Sequence, residues 1–376
     1  MKILLIGNQA NTILLFRKRL IEKLIDKDCH VNTLTIDNPV DKFNSISELG
    51  ATPGQYVFSR SGMNPLSDII NTFRLSRKIK AIRPDVVFCF FPKPVIFGTL
   101  AARLAGVKHV YDLLEGLGFC FTAHQKKDSY KKKLLKATQT FLYRITLPRA
   151  RKVLFLNKDD YEDLIVQNKI AISDPEVIGG IGVDLESYSY TLPDINNIHF
   201  GMVSRLLVEK GVREFVQAAK IVKSQYPYIK FSIAGAIDDN PGGITREQLN
   251  LWKKEGYVDF LGQISDVKSY LNDLSVFVLP SYREGIPRST QEAMAIGRAV
   301  ITTDVPGCRE TVIHNVNGFM IPPWTVKELA DAMISFVENP DQIISMGISS
   351  RRIAEEKFDE DQATDKLINI LLNRNQ

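Results

Sequence analysis

Short apolar segments alternate with longer segments of helical periodicity along most of the chain. In the first half, KILLIG, VNTLTI and DVVFCFF predict strands, and helices are predicted near residues 12–26, 67–82 and 95–105. In the second half, strands are predicted at IHFGMVS, IKFSIAG, VDFLG, VFVLP, AVITTD and NGFMI, with helices near 211–225, 245–255 and 288–296. Because strands that alternate with helices form parallel sheets, the pattern predicts an α/β protein with one doubly wound sheet in each half.

The predicted boundary between the halves lies in a segment without helical periodicity. Between Pro175 and Pro193 this segment is rich in glycine, and a chain of 376 residues exceeds the usual size of one hydrophobic core. We predict domains over residues 1–190 and 191–356, followed by a closing helix over 357–376. Because doubly wound sheets bind ligands at the carboxyl ends of their strands, we expect the two sheets to face each other across one cleft.

The composition is that of a folded globular protein, with 44% hydrophobic and 24% charged residues. The four cysteines are far apart in the sequence, which favours neither a zinc site nor a disulfide framework. No apolar run is long enough to predict a membrane span, and polar residues interrupt the first apolar run where a signal peptide would be continuous.

The charge is concentrated in the first half. Residues 1–192 contain 28 Lys and Arg against 19 Asp and Glu, whereas residues 193–376 contain 20 against 24. Most of the excess lies between residues 120 and 152, a segment with one acidic residue, Asp128, and ten basic ones: Lys126, Lys127, Lys131, Lys132, Lys133, Lys136, Arg144, Arg149, Arg151 and Lys152. By charge alone this basic segment could bind nucleic acid, anionic lipid or a phosphorylated substrate.

The segment over residues 276–304 combines a buried strand, a turn and a helix that starts near Arg288. The backbone N–H groups at the start of that helix form an anion site suited to a diphosphate. Two carboxylates, Glu284 in the turn and Glu292 in the helix, would repel phosphates. They therefore point to neutral donors such as sugar hydroxyls.

A second group of candidate residues follows the first strand of the second half. Arg205 and Lys210 precede Gly211 at the start of a helix, and two cations there are suited to binding a diphosphate. The next strand ends at Gly235, where the missing Cβ permits a ligand to approach the backbone closely.

The chain resembles the retaining nucleotide-sugar glycosyltransferases of family four in four residues. These are Arg205, Lys210, and the pair Glu284 and Glu292 with seven residues between them. The resemblance implies the GT-B fold, in which two Rossmann-like domains face each other across the active site. It further implies that Arg205 and Lys210 bind the donor diphosphate, that Glu284 contacts the transferred sugar and that Glu292 binds the ribose. The donor site would also include Gly235, Gly285, Ile286 and Pro287, and no metal or other cofactor is expected.

Three further segments are similar to segments of one group of transferases. These enzymes add N-acetylgalactosamine in an alpha-1,3 linkage to sugars on undecaprenyl diphosphate. These segments are FPKPVIFGTLAA (91–102), VYDLLEGLGFCF (110–121) and SYREGIPRSTQEA (281–293). The resemblance implies a UDP-sugar donor, a polyprenyl-diphosphate-linked acceptor and acceptor binding by Lys93, Glu115 and Gly116. In retaining transfer, either the departing phosphate oxygen or Glu115 would take the proton of the acceptor hydroxyl.

A lipid-linked acceptor also gives the basic segment a role. Leu134, Leu135, Phe141, Leu142 and Tyr143 are interspersed with its charges, which favours contact with an anionic membrane surface. We therefore expect a peripheral protein on the cytoplasmic face of the bacterial inner membrane. The absence of a known nucleic-acid-binding motif argues against nucleic acid as the partner.

The sequence also allows two alternatives to a glycosyltransferase. An isomerase of the UDP-N-acetylglucosamine 2-epimerase type would share the fold and the nucleotide sugar, but it would not be expected to combine the two spaced glutamates with Arg205 and Lys210. A non-catalytic membrane-associated assembly partner would not need these four side chains. The sequence leaves open which sugar is transferred, the linkage position and the oligomeric state.

Overall fold

The structure is a computed structural model that describes residues 1–58, 65–123, 125, 129–238 and 242–373. The chain divides into two compact units. The first unit contains Met1–Cys120, Ser129–Ile181 and Asp361–Gln376, and the second contains Phe121–Asp128 and Gly182–Glu360.

The first unit is built on a seven-stranded parallel sheet with the strand order β3-β2-β1-β4-β5-β6-β7. Its strands are β1 (Lys2–Ile6), β2 (His30–Thr35), β3 (Thr52–Gln55), β4 (Val86–Phe90), β5 (His109–Leu114), β6 (Lys152–Phe155) and β7 (Pro175–Val177). The helices between them are α1 (Ala10–Ile25), α2 (Val40–Glu48), α3 (Pro65–Ile82), α4 (Thr99–Leu104), α5 (Tyr130–Thr146) and α6 (Lys158–Tyr161). Pro94–Gly98 and Glu162–Val166 form π-helical turns before α4 and after α6.

The second unit repeats this plan with a six-stranded parallel sheet in the order β10-β9-β8-β11-β12-β13. Its strands are β8 (His199–Val203), β9 (Lys230–Ala234), β10 (Asp259–Gly262), β11 (Val276–Leu279), β12 (Ala299–Thr303) and β13 (Gly318–Ile321). Its helices are α7 (Val212–Gln225), α8 (Arg246–Glu255), α9 (Val267–Asn272), α10 (Arg288–Ile296), α11 (Val326–Glu338) and α12 (Asp341–Lys357). The two doubly wound parallel sheets confirm the predicted fold class.

The central strands are buried on both faces, as in parallel sheets covered by helices. Every residue of β4, β11 and β12 is buried. These strands are continuous apolar runs such as VVFCF and VFVL, which is why the sequence pattern identified them. The edge strands β3 (TPGQ) and β7 (PEV) are short and lack a continuous apolar run, and the sequence pattern did not predict them. The predicted strands also omit β5 (HVYDLL) and β6 (KVLF).

The basic segment contains helix α5, which is not among the helices that the sequence pattern predicts. Ser129 caps α5 by accepting a hydrogen bond from the backbone N–H of Lys132 at 3.2 Å. Lys126 and Lys127 of the basic segment lie outside the described residues. Within the described ranges, no helix has the length and apolar character needed to cross a membrane.

The division between the units follows Ile181, whereas the sequence placed it after residue 190. The segment after Gly182 packs on the second unit through polar contacts. Gly182 N–H donates to the side chain of Gln291 at 3.2 Å, and the guanidinium of Arg351 donates to the carbonyl of Tyr188 at 2.7 Å. Because these contacts attach the segment after Gly182 to the second unit, the boundary lies closer to the N-terminus than predicted. The contacts have no sequence signature.

The predicted closing helix begins later than residue 357. Lys357 ends α12, Phe358 and Asp359 are non-helical, and α13 spans Glu360–Leu372. The N–H of Val183 donates to the carbonyl of Phe358, and the carbonyl of Val183 accepts from the N–H of Glu360. These two hydrogen bonds hold the chain around Asp359 extended. From Asp361 onward the helix belongs to the first unit, where Asp361 accepts a 2.7 Å hydrogen bond from Arg19 of α1.

Gly211 sets the distance between the start of α7 and the end of β11. It caps α7 with a φ of +74°, a left-handed conformation that side chains disfavour. A Cβ at this position would lie 2.1 Å from the carbonyl oxygen of Pro280. The chain can approach β11 this closely only because residue 211 has no side chain.

We predict that Gly211→Ala lowers the free energy of unfolding by more than about 2 kcal/mol, since it adds a backbone clash to the cost of a left-handed alanine. Gly256→Ala is the matched control, because Gly256 has a φ of +73° but nothing within 4 Å of its Cβ position. This control should lose about 1 kcal/mol. Urea unfolding of both variants measures the difference, and equal losses would contradict the role assigned to the contact with Pro280.

Candidate active site

The order of strands marks one point in each sheet where ligands are expected. The chain order reverses between β1 and β4 in the first unit and between β8 and β11 in the second. Open parallel sheets bind ligands outside the carboxyl ends of their strands at such switch points. Lys210 follows β8 and Glu284 follows β11, so these two predicted residues flank the switch point of the second unit.

Lys210 and Glu284 form an ion pair across this switch point. The ammonium of Lys210 lies 2.5 Å from Glu284 Oε1, which also accepts a 2.7 Å hydrogen bond from the hydroxyl of Ser281. Only 17% of the lysine side chain and 12% of the glutamate side chain are exposed. The structure thus brings together two residues that the sequence had assigned separately to diphosphate and sugar, and Ser281 is an addition that the sequence analysis missed.

The turn that holds Glu284 leads directly into α10. Glu284 N–H donates to the carbonyl of Pro306 at 3.0 Å, and the carbonyl of Ile286 accepts a 3.2 Å hydrogen bond from the side chain of Gln291. Pro287 is the N-cap residue of α10, and its side chain makes no capping hydrogen bond. The turn over Glu284, Gly285, Ile286 and Pro287 is therefore fixed from both sides, and the first-turn N–H groups of α10 can serve an anion.

Glu292 lies inside α10 and is bound by a residue that the sequence analysis did not consider. Arg288 Nε donates to Glu292 Oε1 at 3.1 Å, and Arg288 Nη1 lies 3.5 Å from Glu360 Oε1. Burial raises the pKa of Glu292, while the nearby guanidinium of Arg288 acts in the opposite direction. Burial also raises the pKa of Tyr188, and the charge of Glu292 adds to that effect.

Arg205 lies at the same end of the second sheet but is about half exposed. Its Nη1 donates to Asp238 Oδ2 at 2.6 Å, a partner that sequence reasoning missed because Asp238 follows β9 in an irregular segment. Gly235 directly follows β9, and a Cβ there would lie 1.7 Å from the carbonyl oxygen of Ser204, which directly follows β8. Packing between the two strands therefore requires this glycine independently of any ligand.

The predicted acceptor residues follow two neighbouring strands of the first unit. Lys93 lies just beyond β4, and burial lowers its pKa although Asp68 acts in the opposite direction. Glu115 and Gly116 follow β5, and Gly116 has a φ of +115°. The Glu115 side chain is 7% exposed and is paired with Arg17 of α1, which the sequence analysis had left unassigned.

Among the described residues, no group of three or more His, Cys, Asp or Glu could hold a metal ion. The four cysteines, Cys29, Cys89, Cys120 and Cys308, are buried, and no disulfide joins them. Burial raises the pKa of Cys308 to about 12, so this thiol stays protonated beside Lys210 and Glu284.

Comparison with known protein families gives a match in each unit. Residues 2–157 match the model described as "Glycosyl transferase 4-like", and residues 197–339 match "Glycosyl transferases group 1". The second match contains Arg205, Lys210, Glu284 and Glu292, and the first contains Lys93, Glu115 and Gly116. All seven of these predicted residues thus lie in matched segments.

Two curated relatives are similar to most of the chain. The N,N'-diacetylbacillosaminyl-diphospho-undecaprenol alpha-1,3-N-acetylgalactosaminyltransferase of Campylobacter jejuni is 28% identical over 90% of both chains. The UDP-Gal:alpha-D-GlcNAc-diphosphoundecaprenol alpha-1,3-galactosyltransferase of Escherichia coli is 27% identical over 73% of this chain and 72% of its own.

The solved structure of HepE from Anabaena in complex with UDP-glucose superposes with a TM-score of 0.78 over 99% of both chains, at 18% identity. The similarity extends through both units, and at this level of identity it speaks for the fold. With the two family matches and the two curated relatives, it leads to one assignment: this chain belongs to the family four glycosyltransferases and has their GT-B fold of two Rossmann-like domains.

Proposed function

We propose that this glycosyltransferase moves a sugar, with retention of configuration, from a UDP-sugar to a saccharide carried on polyprenyl diphosphate. The first candidate for the transfer is N-acetylgalactosamine in an alpha-1,3 linkage. The names of the Campylobacter and Escherichia relatives both specify a diphospho-undecaprenol acceptor and an alpha-1,3 transfer, which supports this choice. The reaction would serve the assembly of a bacterial surface polysaccharide or of a glycan destined for a glycoprotein.

The observation that carries the proposal is the Lys210–Glu284 ion pair at the switch point of the second sheet. A diphosphate bound there would attract the ammonium of Lys210 and leave Glu284 to accept hydroxyl groups of the transferred sugar. Arg205, now held by Asp238, is exposed enough to turn toward the same diphosphate. The start of α10 supplies further N–H donors, so the site would hold the anion and the sugar with separate groups.

The same groups account for catalysis. The bond between the sugar anomeric carbon and the diphosphate oxygen breaks, and a bond from that carbon to the acceptor oxygen forms. Negative charge grows on the departing diphosphate, and Lys210, Arg205 and the dipole of α10 stabilise it electrostatically. These cations supply the stabilisation that a divalent ion gives elsewhere, so we propose a reaction without metal or other cofactor. The acceptor proton goes to the departing phosphate oxygen or to Glu115.

Acceptor binding is assigned to the first unit. Lys93 and Glu115 follow the neighbouring strands β4 and β5, at the carboxyl edge of the sheet. Lys93 can contact a phosphate of the acceptor, and Glu115 can accept from a sugar hydroxyl. The turn at Gly116 adds backbone groups at the same edge.

The partner surface is proposed to be an anionic membrane, with the protein peripheral on its cytoplasmic face. Helices α3, α4 and α5 contain one acidic residue, the buried Asp68, and ten basic ones: Arg74, Arg77, Lys78, Lys80, Arg103, Lys131, Lys132, Lys133, Lys136 and Arg144. Anionic phospholipid attracts such a surface at about 1 kcal/mol for each basic residue close to it.

Large apolar side chains are exposed among these charges. Leu66, Ile69, Phe73, Leu104, Leu134 and Phe141 are each more than half exposed. A groove of about 480 Å³ between the helices is lined by several of them, including Ile69, Phe73 and Leu104, and by Arg103 and Arg149. We call α3, α4 and α5 with this groove the basic apolar face.

Two residues that the sequence analysis counted with the surface, Lys132 and Tyr143, are buried. The ammonium of Lys132 lies 5.3 Å from the centre of the Phe119 ring.

The direct test is product formation from a panel of UDP-sugars and GDP-mannose, with undecaprenyl-diphosphate-linked N-acetylglucosamine in detergent and an acceptor-free control, in the presence of a chelator. We expect one UDP-sugar to be transferred with its anomeric configuration retained. Lys210→Ala should lower turnover by about 10²- to 10³-fold, the loss typical of removing one electrostatic stabiliser. The exposed residue Lys254 provides the control variant Lys254→Ala, which should keep full activity.

Other results of this assay would each overturn part of the proposal. Interconversion of UDP-sugars without acceptor would identify an isomerase. Loss of activity with the chelator that added metal restores would reject the metal-free mechanism, and full activity of Lys210→Ala with an unchanged melting transition would reject the assigned site.

The raised pKa of Glu292 predicts how UDP binding depends on pH. Glu292 accepts ribose hydroxyls best as a carboxylate, and burial moves its protonation to a higher pH than that of an ordinary glutamate. UDP affinity should therefore fall about tenfold for each pH unit below that pKa. Glu292→Gln removes this pH dependence of UDP affinity, whereas the control Glu255→Gln, at an exposed position, retains it. Calorimetric titrations of UDP into both variants between pH 8 and 5 measure the difference. The comparison separates the protonation of Glu292 from the protonation of UDP itself. Parallel pH profiles for the two variants would contradict the ribose assignment.

Vesicle binding tests the basic apolar face. Lys131→Gln, Lys133→Gln and Lys136→Gln together should weaken binding to vesicles of phosphatidylcholine and phosphatidylglycerol by about 10²-fold at low salt, with a smaller effect at high salt. Ile69→Ser, Phe73→Ser and Leu104→Ser together should also weaken it, through loss of apolar burial. The matched control is Leu251→Ser with Ile348→Ser, two exposed positions of the second unit. Co-sedimentation that is unchanged in the first two sets would reject the membrane surface.

A further inference from the structure

Arg17 is a buried cation on a helix that is otherwise anchored by apolar side chains. Its side chain is 2% exposed, and its guanidinium carbon lies 4.5 Å from the ring centre of Phe90 and 5.8 Å from that of Phe88. Its Nη1 donates to the carbonyl of Phe16 at 2.7 Å. A guanidinium in such surroundings is costly unless a carboxylate pairs with it.

That carboxylate is Glu115, but the pairing uses only one of its oxygens. Arg17 Nη2 donates to Glu115 Oε1. The other oxygen, Oε2, is buried and has no hydrogen-bond partner within the described residues. Arginine and carboxylate often pair through two parallel hydrogen bonds, and buried polar atoms are rarely left without a partner. Glu115 Oε2 therefore remains open to a donor that is not part of the first unit's own packing.

The pair lies where a ligand of the first sheet is expected. Arg17 belongs to α1, which follows β1, and it passes over Phe90 at the end of β4 to reach Glu115 just beyond β5. It therefore crosses the carboxyl edge beside the switch point between β1 and β4. The backbone turns sharply after Glu115, because Gly116 has a φ of +115°.

We propose that Arg17 is a positioning residue for the acceptor: it holds Glu115 through Oε1 so that Oε2 accepts a hydrogen bond from an acceptor hydroxyl. The inference rests on the proposed function and assigns a role to a residue outside the predicted site. A carboxylate in an ion pair only accepts hydrogen bonds, so its partner must be a donor such as a sugar hydroxyl. A stabilising role alone does not account for the geometry, because a buried ion pair is a weak source of stability and this one leaves an oxygen unsatisfied.

The test measures steady-state kinetics with the UDP-sugar identified above and undecaprenyl-diphosphate-linked N-acetylglucosamine, together with UDP affinity and the melting transition. The variants are Arg17→Met, Arg17→Lys, Glu115→Gln and the double variant Arg17→Met with Glu115→Gln. Arg19→Met is the matched control, since Arg19 lies on the same helix and pairs with Asp361 at an exposed position.

We expect Arg17→Met to lower kcat/KM for the acceptor by about 10- to 100-fold while UDP affinity stays within about twofold of wild type. Arg17→Lys should recover part of the loss, because an ammonium can still bind Oε1. The double variant should be no worse than Glu115→Gln alone, since the two residues act as one unit. Arg19→Met should leave kcat/KM for the acceptor unchanged.

The inference is overturned if Arg17→Met and Arg19→Met have the same acceptor kinetics, or if the losses in the double variant multiply. A parallel fall in UDP affinity, acceptor kcat/KM and melting temperature would indicate a purely structural role. If Arg17→Met does not fold, Arg17→Lys and the double variant, which leaves no unpaired charge, carry the comparison. A wild-type protein that transfers no sugar to any acceptor would instead reject the proposed function, and this inference with it.

Discussion

The close approach of Gly211 to the carbonyl of Pro280 is the constraint on which the candidate active site depends. It lets the start of α7 contact the end of β11, and so brings Lys210 within 2.5 Å of Glu284 although 74 positions separate them in the chain. Any side chain at residue 211 would separate these elements. The ion pair, the turn after β11 and the start of α10 then share one edge of the second sheet, where a doubly wound fold presents its ligand.

Five of the charged residues predicted for the candidate sites lie in ion pairs. Lys210 pairs with Glu284, Arg205 with Asp238, Arg288 with Glu292, and Arg17 with Glu115. Each pair limits the cost of burying a charge, and a ligand with complementary groups can replace one partner. This arrangement suits a protein whose proposed donor carries both phosphates and hydroxyls. When such a donor separates an ion pair, the cation can bind its phosphates and the carboxylate can bind its hydroxyls.

The two units differ in the surface that surrounds these edges. In the first unit, the helices α3, α4 and α5 combine basic side chains with exposed aromatic and aliphatic ones, whereas in the second half of the chain acidic residues outnumber basic ones. Coulomb attraction and apolar burial therefore both favour a membrane on this side of the first unit. Under this proposal, a lipid-linked acceptor would reach Lys93 and Glu115 in the same unit that carries the basic apolar face.

The sequence by itself determined the α/β class, most of the buried central strands, several of the helices between them and the chemical types of the candidate donor-site residues. It could do so because continuous apolar runs and helical periodicity are local properties, and because the spacing of Glu284 and Glu292 lies within one strand, turn and helix. The short edge strands β3 and β7 have no such pattern. The break before α13 and the early division at Ile181 depend on backbone pairing between Val183 and the chain around Asp359. The pair of Arg288 with Glu292 is likewise local, because four residues separate them in α10. Only the tertiary structure decided which distant charges neutralise each other: Asp238 pairs with Arg205, and Arg17 pairs with Glu115. These partners come from segments whose proximity is set by strand order, and strand order is a property of the whole sheet.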